Sequence, residues 1–312
     1  MPILKVRPLS LGIIILLLLP LIVWATRNPA TASLKLVNAL ATVPRERLYQ
    51  NLPYGNHPKT KLDIYLPASV ETGIKPSLET ETQLSRAPVV IFFYGGCWGA
   101  CLKFFKSDYR FVAESLIKAG YVVVLPDYRH YPNVKFPAIM VDATASVNWV
   151  SNNIAQYGGD PDQVFLAGHS AGAQMSALLT LNEAYLSPEI RRSIRGFIGL
   201  AGPYDFLPFD RAYQPILFGP EENYPQSQPI NYVDGTEPPL LLLYGNDDSV
   251  VFPHNIENLS AKVTQLGGEV EVHRYDGIDH AGLVGALSIP RRNRQPVYAD
   301  ILRFLAAHRD PV

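Results

Sequence analysis

Two short runs of uninterrupted apolar residues, Val89-Val90-Ile91-Phe92-Phe93 and Tyr121-Val122-Val123-Val124-Leu125, constrain what this chain can fold into more than any other feature. A strand that is apolar at every residue, not at every second one, needs cover on both faces of its sheet. Helical stretches stand between and after such runs. They read from about Phe104 to Ala119, stopped by Gly120; over 137 to 156, closed by Gly158-Gly159; from Ala171 to Tyr185; over 253 to 266; and over 297 to 308. Further strands read at Gln163 to Ala167, Ile194 to Leu200, Leu240 to Tyr244 and Glu269 to Tyr275. Leu62-Asp63-Ile64-Tyr65-Leu66 alternates, ends at Pro67 and reads as an early edge strand. This alternation predicts an α/β fold with a mostly parallel central sheet of about eight strands and helices on both faces. In such sheets the functional groups gather beyond the carboxyl ends of the strands.

At 47% hydrophobic and 18% charged, 312 residues can build a full core, and an α/β unit of that size often forms one domain, here expected over 40–312. A net charge of −1 argues against nucleic acid or an anionic bilayer as an electrostatic partner. The 27 prolines predict long irregular connections. Residues 68–86 are polar and read as a surface connection. The stretch 202–238 is rich in Pro, Tyr and Phe without a period; it reads either as a cap whose Phe206, Phe209, Tyr213 and Phe218 line a substrate entrance, or as a packed surface loop. Ahead of the domain, Lys5 and Arg7 precede an uncharged apolar run from Leu9 to Ala25. Residues 1–32 therefore read as an export signal cleaved at Ala30-Thr31-Ala32, or as an uncleaved membrane anchor. Either reading places the domain outside the cytoplasm. The two cysteines, Cys97 and Cys101, fit neither a zinc pair nor a disulfide framework. They read as small apolar residues, or as a local disulfide if the compartment is oxidising.

The chemistry centres on Gly168-His169-Ser170-Ala171-Gly172, between a strand and a helix. A serine on so tight a turn needs small neighbours, which Gly168, Ala171, Gly172 and Ala173 supply. The turn sets its hydroxyl at a helix N-terminus, where partial positive charge favours a developing anion. The plainer alternative is a glycine-rich turn with a capping serine. A serine hydroxyl becomes a nucleophile when a histidine takes its proton, and a carboxylate must fix that histidine's tautomer. Of the histidines beyond Ser170, His254 opens a helix, His273 lies in a strand and His308 ends a helix; His280 alone sits on a loop after the last strand. The acid belongs after Leu240 to Tyr244, where Asp247 and Asp248 both stand. Asp279, beside His280, cannot readily fold back onto its neighbour's ring and reads as structural. Tyr94-Gly95-Gly96-Cys97-Trp98-Gly99 follows the first buried strand and offers backbone amides from Gly96 and Cys97, joined by Ala171, to an oxyanion. No H-E-x-x-H helix or clustered ligand set appears, so no metal or cofactor is expected.

These motifs, with Asp127-Tyr128-Arg129, Gly159-Asp160-Pro161 and Gly245-Asn246-Asp247-Asp248, resemble the α/β-hydrolases that carry an H-G-G-x-W loop. That group includes hormone-sensitive-lipase-like carboxylesterases, kynurenine formamidase-like proteins, feruloyl-esterase-like proteins and isoprenylcysteine methylesterases. The similarity runs from about residue 60 to 308. It implies hydrolysis of a small-molecule carboxylic ester through an acyl-enzyme, without a cofactor. The nearest rival is an amide-cleaving, formamidase-like reaction; a rival of another class is an inactive binding protein on the same fold. The family spacing favours Asp248 over Asp247. Two residues depart from the pattern: Tyr94 replaces the usual histidine before the glycines, and Cys97 stands where glycine, alanine or tyrosine is commoner. The resemblance also implies that Asp127-Tyr128-Arg129 is an ion-paired or hydrogen-bonded brace near the site.

Overall fold

In the computed structural model, which describes residues 29–70 and 86–310, one sheet organises the chain. Its strands are β1 (Leu48–Pro53), β2 (Lys61–Tyr65), β3 (Ala87–Phe93), β4 (Val122–Pro126), β5 (Gly159–His169), β6 (Ile194–Leu200), β7 (Leu240–Gly245) and β8 (Val270–Tyr275). They lie side by side as β1-β2-β4-β3-β5-β6-β7-β8. β1 and β2 run antiparallel, and β4 through β8 form a continuous parallel block. The expected eight-stranded, mostly parallel sheet is thus present. The expected edge strand moves inward: β2 pairs with β1 on one side and β4 on the other, and β1 forms the edge. Four of the six residues of β1 are exposed, so it lacks the apolar signal that marks the central strands.

The continuous apolar runs have the predicted cause. Every residue of β3, β4 and β7 is buried. In β7, Leu240 and Leu242 face a core shared with Ala173 and Ala177 of α4 (Ala171–Leu181) and with Leu259 and Val263 of α7 (His254–Gln265). Leu241 and Leu243 face the opposite core, with Ile301 and Phe304 of α9 (Val297–His308). Removing one such leucine side chain would cost about 2–5 kcal/mol, since a close-packed interior refills the cavity only in part. α2 (Arg110–Ile117) lies on the α9 side, where Tyr298 Oη donates to the Ser115 carbonyl at 2.8 Å. α3 (Phe136–Asn153) packs beside α4.

Three shorter or less expected helices complete the layers. α1 (Pro29–Leu40) packs on α2 and α8 (His280–Gly285) through half-buried Leu34 and Val37. α5 (Pro188–Ser193) precedes β6, and α6 (Gln214–Phe218) lies in the 202–238 segment, which otherwise forms turns and 3₁₀ stretches. The apolar run Leu9–Ala25 and residues 71–85 lie outside the described residues; Ala30-Thr31-Ala32 falls within α1. Among the described residues no helix is long and apolar enough to cross a membrane.

Candidate active site

The parallel strands deliver their loops to one end of the sheet. Gly96 follows β3, Ser170 follows the adjacent β5, Asp248 follows β7 and His280 follows β8. Gly96, Cys97, Ser170, Ala171 and His280 line one cleft of about 890 Å³.

Ser170 sits at φ 57° and ψ −124°, a conformation that L side chains rarely adopt and that costs about 1–3 kcal/mol. Close packing enforces it. A side chain on Gly172 would lie 2.0 Å from the Phe93 carbonyl oxygen, so only glycine lets α4 approach β3 this closely. All eleven residues of α4 are buried, which explains its run of Ala, Gly, Ser and Leu. Ser170 occupies the N-cap position of α4 yet makes no side-chain capping bond, which removes the plain-turn explanation for a serine here.

His280 Nδ1 meets Asp248 Oδ2 at 2.7 Å. Because Asp248 Oδ1 accepts the amides of Val250 at 2.7 Å and Val251 at 3.0 Å, the carboxylate is fixed in orientation. Burial favours its neutral form, but the His280 hydrogen bond and charge and these two amides outweigh it and hold the carboxyl below the usual aspartate value. An ionised Asp248 accepts a hydrogen bond from His280 Nδ1–H, which leaves Nε2 as the ring nitrogen open to the cleft. Asp247 is exposed beside it and its amide bonds to the Ile278 carbonyl. Of the two candidate acids, the structure brings Asp248 to His280. Asp279 caps α8, its Oδ1 accepting the Gly282 amide at 2.6 Å, and is structural as expected.

The loop after β3 turns through four successive left-handed residues, Gly96 to Gly99. Among the described residues no acceptor meets the amides of Gly96, Cys97 and Ala171. Cys97 and Cys101 form a disulfide, so the local bridge is the reading that holds. Tyr94 ties the start of this loop to the one after β4: its hydroxyl lies 3.0 Å from Asp127 Oδ1 and 3.1 Å from His130 Nε2. The 127–129 brace is ion-paired as expected, Asp127 with Lys106 at 3.3 Å and Arg129 with Asp142 at 2.7 Å, while Tyr128 Oη donates to the Tyr94 carbonyl.

Three contributions escape the sequence. His169 Nε2–H donates to the His280 carbonyl at 2.9 Å and so pins the histidine's backbone. Burial, and then the charge of His280, lower its pKa to about 3, so it stays neutral. Gln174, fully buried one turn past Ser170, accepts from Trp98 Nε1 at 3.1 Å and donates to the Ser227 carbonyl at 2.7 Å. That four-residue offset, which puts it on one helix face with Ser170, is the one signal for it in the sequence. The third is α1, whose Ser33, Leu34 and Val37 form part of the cleft wall. Of the four aromatic residues expected at the entrance, Phe206 and Tyr213 line the cleft. Phe209 and Phe218 instead stack on each other behind it, with Phe218 edge-on to Trp98. Their rings serve the packing of the segment, as the packed-loop alternative has it, while Phe206 and Tyr213 follow the cap alternative.

Sheet order and loop placement define an α/β-hydrolase fold. Esterase B of Lactobacillus rhamnosis superposes with a TM-score of 0.71 over 91% of this chain and 93% of its own, at 21% identity. The chain belongs to the BD-FAE family, whose model matches residues 62–263. Among curated proteins it is 28% identical over 259 residues to a probable isoprenylcysteine alpha-carbonyl methylesterase of Arabidopsis thaliana, covering 75% of this chain and 51% of that protein. It is also 28% identical over 183 residues to LipM, a probable carboxylic ester hydrolase of Mycobacterium tuberculosis, covering 53% of this chain and 42% of that one. The chain thus spans about half the length of these relatives.

Proposed function

We propose that this protein is a serine hydrolase of small-molecule carboxylic esters, acting through an acyl-enzyme on Ser170. The observation that carries the reading is the 2.7 Å pairing of His280 Nδ1 with a buried, oriented Asp248, in a cleft that His280 shares with Ser170. Ser170 Oγ attacks the ester carbonyl carbon as its proton passes to His280 Nε2. Charge builds on the former carbonyl oxygen and is met by the amides of Gly96, Cys97 and Ala171. The tetrahedral species collapses, the C–O bond to the alcohol breaks, and His280 returns the proton to the leaving alkoxide. A water, deprotonated by His280, then repeats the attack and releases the acid and Ser170. The esterase names of the curated relatives support the choice of ester as substrate. The same reading places the enzyme outside the cytoplasm, by a cleaved signal or a retained anchor. It is supported by the Leu9–Ala25 run and, independently, by a disulfide of the kind that persists in oxidising compartments.

The test is labelling with a fluorophosphonate and hydrolysis of p-nitrophenyl acetate. Expected are one adduct, mapped to Ser170, and loss of turnover in step with labelling. An adduct elsewhere, or turnover that outlasts complete labelling, would refute the mechanism.

A further inference from the structure

The two cysteines close a small ring through their sulfurs across the loop that follows β3. The backbone that leads into and through that ring is unusual. Gly96, Cys97, Trp98 and Gly99 have φ values of 118°, 55°, 56° and 93°, so four successive residues are left-handed, and two of them are not glycine. Such a run persists only where its surroundings over-determine it. Trp98 has its own anchors: its side chain is buried, Nε1 donates to Gln174, and its carbonyl accepts the Tyr131 amide at 3.0 Å. Cys97, one residue earlier, is half-buried, and its side chain is tied by the bond to Cys101. Cys101 is exposed and lines the cleft, and the Tyr213 hydroxyl reaches its sulfur at 3.8 Å, joining the ring to the 202–238 segment.

We propose that the Cys97–Cys101 disulfide is a positioning element for ester hydrolysis, holding the Gly96 and Cys97 amides where the oxyanion forms, and that an external dithiol slows the enzyme by opening it. This rests on the reading of Ser170 and the oxyanion amides given above. In the opening step a thiolate of the dithiol attacks one protein sulfur and the S–S bond breaks. Closure of the mixed disulfide then releases Cys97 and Cys101 as thiols and the reagent as a cyclic disulfide. Two electrons and two protons pass from reagent to protein. The thiols leave the sheet and α4 untouched but free the Cys97 backbone to relax from its left-handed conformation. The amides then lose their alignment with an oxygen that is charged only in the transition state, so turnover suffers and ground-state binding does not.

The experiment measures kcat and KM for p-nitrophenyl acetate on the full chain: oxidised, reduced with dithiothreitol, and reoxidised, beside Cys101→Ser and Cys101→Ala. Loss of one oxyanion donor costs about 100- to 1000-fold, so a displaced donor should cost about tenfold in kcat with KM within about twofold. Reoxidation should restore the wild type. Both variants should sit at the reduced rate and ignore dithiothreitol, with far-UV circular dichroism unchanged throughout. If reduced wild type and both variants keep kcat within about twofold of the oxidised enzyme, the disulfide does not position the amides. A rate loss that follows loss of the dichroism signal also overturns the proposal. Should a variant fail to fold, the reduction and reoxidation of the wild-type chain still decide the matter. Turnover that survives Ser170→Ala in the oxidised protein would instead overturn the underlying site. Dependence on Ser170 together with indifference to reduction overturns this proposal alone.

Discussion

Two left-handed turns sit together at the cleft, one at Ser170 and one from Gly96 to Gly99, and different means hold them. The Ser170 turn is sealed by packing. Gly172 lets α4 press against the Phe93 carbonyl, every residue of α4 is buried, and the Ser170 amide donates to the Leu200 carbonyl at 2.9 Å. The loop after β3 is half-exposed and is closed by a covalent bond and a few hydrogen bonds. Both conformations carry backbone strain, and strain survives only under constraint. Burial supplies a constraint that solvent chemistry cannot reach; a cross-link supplies one that it can. The residue proposed to form the covalent bond thus stands on the inert support, and the residues proposed to tune charge stand on the responsive one.

The sharpest way to break the comparison is at Ser170 itself. Ser170→Ala should lower kcat by about 10⁶-fold for p-nitrophenyl acetate, with the melting temperature nearly unchanged, because the packing that holds the turn does not use the hydroxyl. Residual turnover near that of the wild type would remove Ser170 from the chemistry. Asp248→Asn should cost about 10⁴-fold in kcat by presenting the wrong His280 tautomer, while Asp247→Asn stays within about twofold. Steady-state kinetics on the two variants separate them, and equal losses would show that the 2.7 Å pairing is not the operative one.

Much of this was legible in advance. Continuous apolar strands announced a sheet covered on both faces, and the residues brought together at Asp248, His280 and Ser170 stood on the loops expected of them. What escaped did so for physical reasons. β1 is mostly exposed and has no apolar alternation, so it is recognisable only from its pairing with β2. Neighbouring aspartates look alike as letters; they differ in that one carboxylate is buried and collects two amides, and the other lies in solvent. The pairing of Cys97 with Cys101 depends on a left-handed run that brings their Cα atoms to 5.3 Å, and a spacing of four does not encode that run. His169 and Gln174 act through a carbonyl and a tryptophan distant in sequence.

Gly172→Ala tests the packed support directly. A methyl group placed 2.0 Å from a backbone oxygen forces α4 off β3, and urea titration should show a loss of about 3 kcal/mol. A loss under about 0.5 kcal/mol would mean that the Ser170 turn is less tightly sealed than its contacts indicate.

A more gradual effect concerns pH, because each turn rests against one buried imidazole. Burial, then the charge of His280, lower His169 to about 3; burial, aided by Lys59 and Lys103 and opposed by Asp127, lowers His130 to about 4. Both stay neutral in the folded protein, while in the unfolded chain they take up protons below about 6.5. The unfolded state therefore binds more protons in that window. Stability should fall as pH drops from about 6.5 toward 4, by up to about 1.4 kcal/mol per pH unit for each imidazole. Thermal melts across this range should show the decline, and His130→Gln should flatten it; an identical slope in the variant would remove His130 as its source.

The helix α1 has one more consequence. Ser33, Leu34 and Val37 belong to the first turns of chain after the apolar run, and they also form one side of the cleft. Trimming the amino terminus is therefore not neutral housekeeping: a cut before Ser33 keeps that side of the vessel, whereas a cut after Leu40 takes it away and leaves the cleft open there to water.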